Sequence, residues 1–137
     1  MKELKHLMYF ERLLDDAHNE LVRQAEAEGD LAIGYTCFHA PEVLLNLGSC
    51  FSVRLRAPHT TSMELATYYM ANNSCEFSRA ILERALEGNY GFLHAMAGVD
   101  VCEANNRAIE NMEIMHAQGA DIVGTEAANV SPFTLGI

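Results

Sequence analysis

Short apolar runs alternate with helix-like stretches along this chain, and that alternation leaves few folds open. Apolar residues at three- and four-residue steps mark helices, whereas short apolar runs between turn residues mark buried strands. Leu7, Phe10, Leu14, Ala17, Leu21 and Ala25 follow the helical pattern, with Glu11, Arg12, Asp15 and Glu20 between them. They predict one long amphipathic helix over about residues 3 to 28, which Gly29 stops because glycine takes a left-handed backbone freely. Leu31 to Thr36 then reads as a buried strand, Pro41 to Leu47 as a short helix opened by proline, and Cys50 to Leu55 as a second strand. After a loop from Ala57 to Ser62, Met63 to Met70 predicts another short helix. Asn72, Asn73 and Ser74 are capping residues for a helix that carries Phe77, Ile81 and Ala85. Phe92 to Val101 is the third strand and Glu103 to Met115 the last helix. The tail from His116 to Ile137 holds Gly119, Gly124, Pro132 and Gly136, and predicts loop with one weak strand near Asp121 to Gly124.

This order predicts an α/β fold: a small three-layer domain with a short, mostly parallel sheet covered by helices, crossovers right-handed, preceded by the long N-terminal helix. The expected organisation is a helix over 1–29, the α/β domain over 30–116 and an irregular tail over 117–137. A length of 137 residues suits one domain with one modest core. The net charge of −10 leaves no basic patch to displace the counterions of a nucleic acid, so that partner class is excluded. No apolar run is long enough to span a bilayer, and Met1 to Phe10 carries charges unlike a signal peptide. A cytoplasmic chain with reduced thiols is expected.

The four cysteines contain no C-x-x-C pair. Cys37 ends the first predicted strand and Cys102 the third, each ahead of a helix, while Cys75 stands at a capped helix start. In an open parallel sheet, ligands bind beyond the carboxyl ends of the strands. Helix N-termini gather there and favour the thiolate, the form that binds metals. Three cysteines are therefore expected at one edge, and Cys50, which begins a strand, at the other. The competing reading of any one of them is a small buried hydrophobe. Thiolate ligation alone leaves zinc and iron–sulfur chemistry both open.

Gly34-Tyr35-Thr36-Cys37-Phe38-His39-Ala40-Pro41-Glu42 resembles the opening motif of the 2-hydroxyacyl-CoA dehydratase and benzoyl-CoA reductase subunits, the D-component type among them. The stretch Gly48 to Arg56 is similar to their next strand. Cys75 to Arg79 with Leu86 to Leu93 resembles their second cysteine block, and Val101 to Arg107 the third. The resemblance implies a [4Fe–4S] cluster on Cys37, Cys75 and Cys102, with one iron open to water or a substrate oxygen. It also implies an acyl-CoA substrate, a related second subunit, and an ATP-dependent iron–sulfur activator protein that delivers a low-potential electron. In the dehydratases that electron makes a ketyl radical and water is eliminated, a lyase reaction of anaerobic metabolism. In the reductases it enters an aromatic ring. Family subunits are longer and carry a second α/β domain, so a truncated member or an N-terminal domain is expected here. The readings from other classes are an assembly or small-molecule-binding domain without a cluster, and a zinc-binding module.

Beside the cysteines, Glu42 is a candidate for bonding substrate, and His39 for donating a proton or lining the cavity. A favourable charge in a first helical turn and a loop histidine without special role are the plainer accounts. Arg54 and Arg56 are candidates for CoA phosphates, or ordinary surface charges after a strand.

Overall fold

The computed structural model describes residues 2–123 and 133–135. In chain order these form α1 (Lys2–Asp15), α2 (Glu20–Ala27), β1 (Leu31–Tyr35), α3 (Glu42–Leu45), β2 (Cys50–Arg54), α4 (Glu64–Thr67), α5 (Glu76–Leu86), β3 (Ala95–Val99), α6 (Glu103–Ala117) and β4 (Phe133–Leu135). The sheet is parallel throughout, with strand order β2-β1-β3-β4. Tyr35 stands opposite Arg54 on one side and Ala97 on the other.

Side chains alternate across the sheet as the two-residue period of a strand requires. Ala32, Val53 and Met96 face a large core built with Ile81, Leu82 and Ala85 of α5 and Ala108 and Met112 of α6. Tyr35, Ala97 and Val99 face a smaller cluster closed by Ala40 and by Leu45 of α3. Helices thus cover both faces, and the domain has three layers. Burying each large aliphatic side chain contributes roughly 1.5–3 kcal/mol. Gly34 belongs to the large-core face, where a Cβ would stand 2.6 Å from Leu93 Cδ1. At that point the strand lies too close to the core for a side chain.

Two expectations are corrected. The single long N-terminal helix is two helices, and Asn19 is the cause. Its backbone is extended, and its side-chain oxygen accepts from the amides of Leu21 and Val22 at 3.0 and 3.2 Å, which starts α2 afresh. Its Nδ2 donates to Leu13 O at 3.1 Å and ties the new start to the end of α1. The apolar spacing runs through the break because Ala17, inside it, is still buried. His18 then stacks on Phe92 with ring centroids 4.4 Å apart and bonds Glu26 at 2.7 Å, seating α2 on the body. In the tail, Asp121 to Val123 form no strand; Ile122 and Val123 pack into the core instead. Gly124, the end of that expected strand, lies outside the described residues. The strand of the tail is β4, paired to β3. None of the described helices is long and apolar enough to cross a membrane.

Candidate functional site at the carboxyl edge of the sheet

The chain leaves β1 for α3, on the small-cluster face, and leaves the neighbouring β3 for α6, on the large-core face. Loops that part in this way open a crevice beyond the strand ends, the usual ligand position of a doubly wound sheet. Cys37 follows β1 at one side of this switch point, and Cys102 is the N-cap of α6 at the other. Cys75 is the N-cap of α5. That helix packs along α6 and leads back to β3, so its start belongs to the same edge. Cys50 opens β2 and lies at the opposite edge. All four thiols are free, Cys75 and Cys102 are exposed, and Cys37 is half-buried. A cleft of about 520 Å³ lies between the loop that ends at Ser74 and the first turns of α6, lined by Tyr69, Asn73, Ser74, Glu103 and Arg107. Cys75 and Cys102 follow and precede its two walls in sequence.

The surroundings of the thiols differ. The amide of Ser78 lowers the Cys75 pKa, helped by the Ser78 hydroxyl and the Phe77 amide, against the opposing effects of burial and of Glu76. This is the anion preference of a helix start. Cys37 Sγ lies 3.5 Å from His39 Nδ1, and the exposed His39 ring leans on Phe38. Glu42 opens α3, a helix of four residues with little dipole to offer. The Tyr35 hydroxyl donates to Glu42 Oε1. Burial pushes the Tyr35 phenol up to about 12, and the bond to Glu42 adds to the effect, with Arg54 opposing it.

Four polar side chains are buried among the described residues: Thr36, Ser78, Glu83 and Asn105. Glu83 is fully explained. Its carboxylate accepts from the amides of Leu65 and Ala66 at 3.2 and 2.6 Å and so holds the start of α4. The other three are each close in sequence to a cysteine of the carboxyl edge. Thr36 precedes Cys37, Ser78 is the third residue of the helix that Cys75 caps, and Asn105 is the third residue of the helix that Cys102 caps.

The family model described as 2-hydroxyglutaryl-CoA dehydratase, D-component, matches residues 37–123, well over half of the chain. The chain belongs to this family. No curated protein matches it. The D-component match opens on Cys37 and takes in Cys75, Cys102, His39 and Glu42, whereas α1, α2 and β1 precede it. Arg54 and Arg56 of this family member line a second cleft of about 660 Å³, with Leu21, Phe51, Val53 and Phe77 among its walls. Arg56 is already engaged there, donating to Leu13 O at 3.3 Å. Among the described residues, no group of three or more His, Cys, Asp or Glu side chains is assembled to hold a metal ion. Sequence reasoning missed the Tyr35–Glu42 pair and the buried polar neighbours. Only the two-residue step from Tyr35 to Cys37 within one motif hinted at the first.

Proposed function

We propose that this D-component family member is a cluster-carrying subunit of an acyl-CoA dehydratase, with Cys37, Cys75 and Cys102 as the ligands of one [4Fe–4S] cluster. The observation that carries this reading is the arrangement at the switch point: two of the cysteines flank the crevice and the third caps a helix at the same edge. The donor chemistry fits. A cluster is a larger body than an ion, so its thiolates converge on a cube of irons rather than on one point, and a common edge is the first requirement for that. The unpartnered buried atoms of Thr36 and Asn105, one and three residues from a ligand position, fit it as well. When bound, the cluster would relay single low-potential electrons and offer an open iron as a Lewis acid.

The chain's own residues then divide the remaining work. Glu42, held by the Tyr35 hydroxyl at one oxygen, presents the other to a substrate hydroxyl or its proton. His39, beside Cys37, is the candidate proton donor. Arg54, which lines the same cleft as Phe77, binds CoA phosphate. A related second subunit completes the substrate cavity, an ATP-dependent iron–sulfur activator supplies the electron, and the cytoplasm keeps the thiols reduced.

Anaerobic reconstitution with iron and sulfide tests the reading. One cluster gives about four irons per chain and a brown chromophore. Tight uptake of zinc in place of iron would overturn it in favour of a zinc module. Partner binding that survives replacement of all three cysteines by serine, together with no iron uptake, would favour an assembly domain.

A further inference from the structure

Buried polar side chains cost free energy unless hydrogen-bonded, on the order of 1–3 kcal/mol each. Almost every one in a folded chain has a partner. Here Thr36 is 2% exposed and Asn105 7%, yet Thr36 Oγ1 and Asn105 Nδ2 have no hydrogen-bond partner among the described residues. Arg79 Nε and His116 Nδ1 are unpartnered as well, but Thr36 and Asn105 are the two that stand within three residues of a carboxyl-edge cysteine. Asn105 is the third residue of α6, and side chains there reach back toward the N-cap, which is Cys102. Ser78 holds the same position in α5 relative to Cys75 and is 2% exposed. Thr36 adjoins Cys37 directly. Each cysteine of the carboxyl edge thus has one buried donor close in sequence, and two of the three donors lack an acceptor.

We propose that Thr36, Ser78 and Asn105 are hydrogen-bond donors to the sulfurs of the cluster site, one for each of Cys37, Cys75 and Cys102, and that they set the potential of the cluster held there. The proposal rests on the cluster reading above. Donors to cluster sulfur stabilise the reduced, more negative state and raise the potential. They are positioning and tuning residues, since none of them needs to touch substrate.

The experiment has two arms. In the first, the cluster-free chain is melted as wild type, Thr36→Val and Asn105→Leu. Donors without an acceptor lose nothing on replacement by apolar groups, so Tm is expected to hold or rise; a clear fall in both variants, the mark of ordinary structural hydrogen bonds, overturns the proposal. In the second, reconstituted wild type, Thr36→Val, Ser78→Ala and Asn105→Leu are titrated with reductant and followed by electron paramagnetic resonance. Iron content is expected to stay at the wild-type level while the midpoint moves to more negative values, with Thr36→Ser restoring it. Midpoints equal to that of a Ser52→Ala control overturn the proposal and leave the cluster reading intact. Wild type that takes up no iron sinks the cluster reading, and this inference with it.

Discussion

Cys37 and Cys50 lie on neighbouring strands of one sheet, yet the two ends they occupy are built differently. At the Cys37 end, polar side chains are buried beside thiols and partly left without partners. Near Cys50 the nearest strand polar group, Ser52, is half-exposed, and Asn46 satisfies both its amide and its hydroxyl at 2.9 Å. The amino edge also holds an unpartnered buried atom, His116 Nδ1 in the last turn of α6, so the contrast lies in which side chains are buried close to the cysteines.

The comparison breaks or sharpens in order of effect. Serine at Cys37, Cys75 or Cys102 is expected to abolish stable iron retention after anaerobic gel filtration, while Cys50→Ser keeps the wild-type iron content; equal loss at all four would erase the distinction between the ends. Next comes Glu83, the buried polar group whose bonds are complete. Glu83→Ala should destabilise by roughly 1–3 kcal/mol for each amide left without an acceptor, read by urea unfolding, whereas the Thr36 and Asn105 variants should not. Gly34→Ala forces Leu93 aside behind the Cys37 loop and should cost about 1–3 kcal/mol in the same assay.

Smaller effects follow from ionisation. Cys75, exposed and with its pKa lowered by the Ser78 amide, should be the first thiol alkylated by iodoacetamide near neutral pH, identified by peptide mass; equal labelling of exposed Cys102 would count against it. The raised Tyr35 pKa means that the folded chain holds the neutral phenol more tightly than the unfolded chain does. That stability is fully present below the ordinary value of 10.0 and is lost as pH rises toward about 12. Tyr35→Phe should flatten this part of the stability profile, and an unchanged slope would show that other groups dominate it.

Much of the frame was legible from the chain alone. Alternating strand and helix segments, punctuated by Gly48, Gly88 and Pro41, predicted a parallel sheet with helices on its faces, and the topology agrees. The separation of Cys50 from the other cysteines followed from strand direction, which a parallel sheet fixes. The helix break at Asn19 was hidden because burial depends on where a residue ends up, and Ala17 keeps the period across the bend. Strand β4 was displaced in prediction because Ile122 and Val123 look like strand residues and are buried as loop residues. The site was legible as residue types and not as environments. Nothing in the letters Thr36, Ser78 or Asn105 separates them from surface polar residues; only packing around them does.

The unpartnered atoms of Thr36 and Asn105 have a consequence for the life of the chain. Whatever supplies acceptors to them binds the folded state and not the unfolded one, and so stabilises the fold by mass action. If the proposed cluster supplies those acceptors, its loss raises the unfolded population and with it exposure to proteases. The sheet edge would then tie how long each copy persists to the same bonds that tune the cluster.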